Sequence, residues 1–134
     1  DWRTLMVAKR IAPEIERVCL TIQSPGEDNI RRNMPGPSPW TAGLDIDDVG
    51  GSVPRLVKAA DCAVWSPYFR NLTAALVKEA HDLGLKVIPW TVNEMADLEL
   101  IYQTGIDGII SDYPDRARAA LPKGIAAPQP VTVR

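Results

Sequence analysis

An α/β fold with a parallel sheet is predicted by three features of this 134-residue sequence. The segment from Gly84 to Asp115, GLKVIPWTVNEMADLELIYQTGIDGIISDYPD, writes a strand and then a helix twice, with Gly84 and Gly105 each closing a helix. Short β-rich runs with polar tips recur upstream, as RVCLTI at residues 17–22 and CAVWS at residues 62–66. Amphipathic stretches separate these runs. Strands alternating with helices in this way predict βα units, and such sheets carry their chemistry at the carboxyl ends of the strands.

The elements can be justified in order. Asp1, or a residue before it, caps an opening helix in which Trp2, Leu5 and Met6 share one face, and Pro13 ends that helix before the Arg17–Ile22 strand. Between Gln23 and Gly51 lies a segment with Pro25, Pro35, Pro37 and Pro39, too rich in proline for regular structure. It exceeds the roughly 12–15 residues beyond which a loop is usually functional or disordered, so it reads as an elaborated loop on the active face. Ser52 caps the next helix, with Pro54 in its first turn, and Cys62–Ser66 forms the second strand. From Thr73, Leu76, Ala80 and Leu83 make a helical stripe that Gly84 terminates in the left-handed conformation. The third strand runs from Lys86 to Val92. Asn93 then caps a helix that buries Met95, Leu98, Ile101 and Tyr102, and Gly105 leads into the fourth strand, Asp107–Ser111. A last short helix starts near Asp115, which reads as its N-cap. The domain ends near Leu121, and residues 122–134 form a Pro- and Ala-rich tail expected on the surface.

Composition bounds the rest. An apolar share of 46%, a charged share of 24% and a net charge of −2 describe an ordinary globular domain. The densest basic cluster is Arg31-Arg32, so the chain lacks the positive face a nucleic-acid partner requires. No apolar run approaches the ~20 residues of a membrane span. Cys19 and Cys62 sit in apolar β-like runs away from metal-ligand spacing and are expected as buried, reduced thiols, with a disulfide left open. A cytoplasmic protein is the expectation. Export to the periplasm stays open, because the chain begins at Asp1 without Met, in mid-unit, which predicts an upstream segment.

Four consecutive βα units fit either a small open sheet or half of an eightfold (β/α)₈ barrel. An open doubly wound sheet normally has a Gly-rich phosphate loop after its first strand, and none is present. A TIM barrel takes roughly 250 residues, so this chain fits about half of one, leaving two strand edges that must pair with something.

Specific motifs resemble one family. VIPWTVN at Val87–Asn93 and GIDGIISDYPD at Gly105–Asp115, preceded by Ala80-His81 and Gly84-Leu85, resemble the last two βα units of glycerophosphodiester phosphodiesterases. SPWTAGLD at Ser38–Asp45 and WSPYF at Trp65–Phe69 resemble segments of a bacterial branch, and DWRTL resembles the segment after that family's fourth strand. The resemblance implies a half-barrel holding strands five to eight. It also implies hydrolysis of glycerophosphodiesters to an alcohol and glycerol 3-phosphate, with a divalent metal, Ca or Mg, held by carboxylates and two histidines acting as acid and base. The family's histidine-arginine-glycine motif and its glutamate-x-aspartate pair, carried on the first three strands, have no match here. The expectation is a chain that binds no metal through its own residues and is inactive alone, its partner the N-terminal half of the same barrel or a second copy.

The residues themselves agree with that division. His81, the single histidine, falls at the helix end opposite the strand tips and is expected to be structural or solvent-facing. Asp45, Asp47 and Asp48 lack the ligand spacing and turn glycine of a Ca²⁺ loop and read as a solvated acidic turn. The candidate contribution is a substrate wall, in which Trp65, Tyr68 and Trp90 bound a slot for the glycerol or alcohol group and Ser66, Thr91 and Asn93 serve as hydrogen-bond partners. Asp112 lies at the tip of the fourth strand and joins that set. A second reading stands beside it: either tryptophan is core and Asn93 only a helix cap, with Pro89 marking an irregularity where the strand's period breaks.

Overall fold

A computed structural model of the chain describes residues 1–124. It contains five α-helices: α1 (Trp2–Ile11), α2 (Val53–Ala59), α3 (Ala74–Asp82), α4 (Met95–Tyr102) and α5 (Pro114–Ala119). The strands are β1 (Val18–Thr21), β2 (Gln23–Ser24), β3 (Glu27–Asp28), β4 (Val64–Pro67) and β5 (Lys86–Val87). β1, β4 and β5 form a parallel sheet in that order, with Val18, Val64 and Lys86 in register. β2 and β3 make a separate small hairpin.

Several helix boundaries arise from side-chain chemistry. The Asp1 carboxylate accepts from the Arg3 N–H, Ser52 Oγ from the Arg55 N–H, and Thr73 Oγ1 from the Leu76 N–H, each satisfying a donor the helix leaves free. Gly84 (φ 76°) and Gly105 (φ 86°) take the left-handed conformation after α3 and α4, where a Cβ would strain the backbone. Two expected caps are corrected. Glu94, not Asn93, stands at the N-cap of α4, and Tyr113 stands at that of α5, with Pro114 and Asp115 already inside the first turn. Proline at this position supplies a preset φ and needs no donor.

The expected four strands become three. The Asp107 N–H donates to the Val87 carbonyl (3.0 Å) and the Ile110 N–H to the Pro89 carbonyl (2.9 Å), so the last segment does run beside β5. Between these bonds the pairing advances two positions along one segment and three along the other, however, so the ladder is irregular, and Pro89 has no N–H to return a bond. The third strand shortens from the expected Lys86–Val92 to β5, because Pro67 on the neighbouring strand has no N–H for the Ile88 carbonyl, which takes the Ser66 hydroxyl instead, and a bridge between Tyr68 and Trp90 continues the pairing. The Pro-rich segment also holds more structure than expected, namely the β2–β3 hairpin and a 3₁₀ turn at Asp47–Val49.

The core lies between the sheet and its helices. Cys19, Trp65 and Val87 project to that side and pack with Trp2, Val57, Val77, Ala80 and Leu98, all nearly inaccessible. Trp65 is anchored further by its indole N–H, which donates to Thr21 Oγ1 at 2.9 Å. Met95, expected in the buried face of α4, is exposed instead, while Leu98 and Ile101 are buried. The two cysteines are buried but not reduced. Cys19 and Cys62 form a disulfide with Cα atoms 5.9 Å apart, Cys19 lying on β1 and Cys62 just before its parallel neighbour β4. The described part of the tail, residues 122–124, is exposed, and its remainder lies outside the described residues.

Candidate functional site at the carboxyl ends of the strands

The polypeptide leaves β4 through Pro67 into Tyr68, and leaves β5 through Pro89 into Trp90. The bridge between Tyr68 and Trp90 holds these departures side by side, with the Phe69 N–H donating to the Trp90 carbonyl at 3.0 Å. The two rings are tilted by 51° with centroids 5.8 Å apart, and Phe69 meets Tyr68 edge-on at 5.2 Å. Both Tyr68 and Trp90 remain partly accessible. The Trp90 indole N–H is committed to the Ser66 carbonyl (2.8 Å), which fixes the ring and leaves its face as the contact surface.

Beside this aromatic flank lies a polar one. Asn93 uses both ends of its amide: Oδ1 accepts from the Asp112 N–H (2.9 Å) and Ser111 Oγ (3.2 Å), and Nδ2 donates to the Asp112 carboxylate (2.8 Å). The Arg116 guanidinium donates to the Asn93 carbonyl at 3.2 Å and lies over the Tyr113 ring at 4.2 Å. The tip after β5 and the tip after the last sheet-flanking segment are thereby tied into one surface. A helix cap would have left the Asn93 amide facing its own helix.

The structure does not bring all the sequence candidates together. Tyr68, Trp90, Asn93 and Asp112 gather at the strand tips. Trp65 projects to the opposite side of the sheet, into the helical core, and Ser66 is fully buried with its hydroxyl donated to the Ile88 carbonyl (2.6 Å). Sequence reasoning passed over Arg116, whose signal was its place in the first turn of α5 directly after the strand tip, and treated Ser111 only as part of a polar tip.

At the other end of the strands, His81 Nε2 lies 2.9 Å from the Asp107 carboxylate, which also accepts the Val87 N–H at 2.7 Å. This pair joins the end of α3 to the start of the last segment and stands apart from the strand tips. Asp61 there receives Lys9 (3.0 Å) and Arg17 (3.1 Å), and the Lys9 hydrogen bond and charge lower its pKa. Burial raises the pKa of Tyr102, whose hydroxyl donates to the Ala117 carbonyl.

A divalent metal needs several oxygen ligands converging on one point. Among the described residues no group of three or more His, Cys, Asp or Glu side chains has that arrangement. Asp112 is engaged by Asn93, and Asp97 by Arg70 at 3.4 Å. These side chains do not fit a metal cage on their own.

Comparison with known proteins now decides the family, since the glycerophosphoryl diester phosphodiesterase family matches residues 2–116. The chain belongs to that family. It is 36% identical over 58 residues to a glycerophosphodiester phosphodiesterase of Caldanaerobacter subterraneus subsp. tengcongensis, covering 43% of this chain and 24% of that protein. Mouse lysophospholipase D GDPD3 is 34% identical over 56 residues, covering 42% of this chain and 17% of the mouse protein. Among solved structures, a Silicibacter pomeroyi protein assigned to the same family superposes with a TM-score of 0.71 at 37% identity, covering 90% of this chain and 35% of that one. An Oleispira antarctica phosphodiesterase in complex with sn-glycerol-3-phosphate superposes at 0.62 with 22% identity, covering 90% of this chain and 38% of that one, a likeness of fold. The chain thus spans well under half the length of these relatives. No helix among the described residues is long and apolar enough to cross a membrane.

Proposed function

We propose that this chain forms the substrate-side wall of a metal-dependent phosphodiesterase that hydrolyses glycerophosphodiesters to an alcohol and glycerol 3-phosphate. In the reaction, water adds to phosphorus, the bond from phosphorus to the alcohol oxygen breaks, and the departing oxygen takes up a proton. Such a displacement needs positive charge on the phosphoryl oxygens and an acid–base pair. In this reading both come from residues outside this chain. Tyr68 and Trp90 offer an apolar flank to the glycerol or alcohol group, and Asn93 holds Asp112 toward its hydroxyls, with Trp65 and Ser66 bracing the wall from behind. The observation that carries the reading is that the Tyr68–Trp90 pair and the Asn93–Asp112 network both stand at the carboxyl ends of parallel segments, the place where barrel sites are built.

The test compares alcohol release from a glycerophosphodiester, with Ca²⁺ or Mg²⁺ present, by this chain alone and by a longer protein that includes the histidine-arginine-glycine half. Turnover is expected only from the longer protein, where Trp90→Ala should raise KM more than it lowers kcat. Robust turnover by the chain alone would sink the division of labour.

One observation favours a second reading, in which the chain is a half-barrel module that dimerises. β1 is an edge strand, and its outward residues Val18 and Leu20 are 38% and 48% exposed. A strand edge without a neighbour, with apolar side chains uncovered on the sheet face beside it, invites pairing with a second copy. Sedimentation separates the two, since the module predicts a discrete dimer.

The disulfide also bears on location. Structural disulfides persist in oxidising compartments and are rare in the cytosol. The Cys19–Cys62 bond therefore favours folding after export over the cytoplasmic expectation.

A further inference from the structure

The most exposed tryptophan lies on the Pro-rich loop. Trp40 is 42% exposed and Met34 51%, and Pro35, Pro37 and Pro39 between them are exposed as well. Trp2 and Trp65, by contrast, are each 1% exposed. This apolar run is held firmly from beneath. Ser38 and Thr41 are buried, Ser38 Oγ donates to the Asn29 carbonyl (2.7 Å), and Thr41 Oγ1 donates to the Leu44 carbonyl (2.6 Å). Ile30 anchors the near end of the loop in the core. A fixed loop that holds Trp, Met and three prolines in water calls for a contact that covers them.

Its position and charge indicate which contact. The Trp2 N–H, at the start of α1, donates to the Trp40 carbonyl (2.9 Å), and the Trp2 indole donates to the Leu20 carbonyl near the end of β1 (3.1 Å). The loop therefore sits at the carboxyl end of the sheet, the same end as Tyr68 and Trp90. Between Asp28 and Asp45 the only charged residues are Arg31 and Arg32, in a chain that is acidic as a whole. Arg32 is exposed and donates to the Gly51 carbonyl, and the half-buried Arg31 reaches Met34 Sδ at 3.7 Å, so both cations lie beside the apolar tip. Trp at the headgroup level with flanking Arg is the composition of a membrane interface.

We propose that residues 31–40 dock on an anionic lipid surface, seating Trp40 and Met34 at the headgroup boundary with Arg31 and Arg32 on lipid phosphates. This docking places the strand-tip face against the bilayer. It would hold whatever chemistry that face performs, so it stands apart from the phosphodiesterase reading.

The test is co-sedimentation of the full chain with vesicles of equal parts phosphatidylcholine and phosphatidylglycerol, and with phosphatidylcholine alone. The chain should bind the anionic vesicles and lose binding as salt rises. Trp40→Ser should weaken it about tenfold, the loss expected when one large apolar side chain no longer leaves water. Replacing Arg31 and Arg32 with Gln should weaken anionic binding by roughly fivefold per residue and leave the phosphatidylcholine background unchanged. Because the Trp40 side chain is exposed, the melting profile of Trp40→Ser should match the parent. If that variant does not fold, the arginine pair decides alone through its salt dependence. Failure of the parent chain to bind, or equal binding by the variants, would overturn the proposal. So would a change in oligomeric state of Trp40→Ser without lipid, which would mean that a second copy covers the loop.

Discussion

The two faces of the β1-β4-β5 sheet are made from the same short strands and meet very different surroundings. On the helix side, Cys19, Trp65 and Val87 are 0–1% exposed and lie within one continuous core. On the other side, Val18 and Leu20 alternate with them along β1 and remain open to water, while their β4 partners Val64 and Ser66 are buried, so the opening is confined to the β1 edge of that face. A strand's period of two makes this contrast possible within four residues. The finished face carries what the chain needs to fold.

The largest expected effect lies on the finished face. Trp65→Ala removes the biggest side chain at the sheet centre and strips Thr21 of its hydrogen-bond donor. Loss of a buried aromatic costs about 3–5 kcal/mol, so the variant should unfold at much lower urea than the parent. A shift comparable to a surface substitution would mean that the helix side is not the organising core.

Next in size is the covalent tie across that face. The Cys19–Cys62 bond closes a segment of 43 residues holding the whole Pro-rich loop. Reduction, or Cys19→Ser with Cys62→Ser, should cost about 2–4 kcal/mol, mainly by freeing the unfolded chain. Denaturant curves with and without reductant measure this directly. Thiol titration under denaturing conditions should find no free cysteine in the purified protein. Two reactive thiols there would remove both the tie and the argument for an oxidising compartment.

How far these features could be read from sequence depends on how local their causes are. Ser52, Gly84 and Gly105 act within one helical turn and each takes the expected role, and Thr73, where the helical stripe was expected to begin, caps α3 in the same way. The fold class was legible for the same reason, since periodicity and capping repeat along the chain. Family motifs were legible because they fall on the strand tips, where spacing is tight. The misses are non-local. Asn93 looked like a cap because its partners, Ser111 and Asp112, lie a full βα unit away. The cysteines looked reduced because only the pairing of β1 with β4 brings them together. The fourth strand has a β-rich sequence but no regular ladder, because Pro89 removes the donor from its neighbour rather than from itself. Trp65 and Trp90 looked alike as aromatic residues near strand ends, yet strand parity sends one into the core and leaves the other at the mouth.

The smallest effect is the sharpest test of the comparison. Leu20 stands next in sequence to Cys19 and Thr21, in the same strand, but on the open face and half exposed. Leu20→Thr puts a β-branched residue on the edge strand and removes apolar surface that this chain alone does not bury. Its effect on urea unfolding should stay within about 0.5 kcal/mol, the range of ordinary surface changes. The parent's unfolding midpoint should also be independent of protein concentration if the chain is a monomer, because no apolar face is then buried between copies. If Leu20→Thr instead destabilises the chain by about 1.5 kcal/mol or more, Leu20 is buried against a partner in solution. A concentration-dependent midpoint would then identify that partner as a second copy, and the dimerising module would displace the phosphodiesterase wall as the better account of this face.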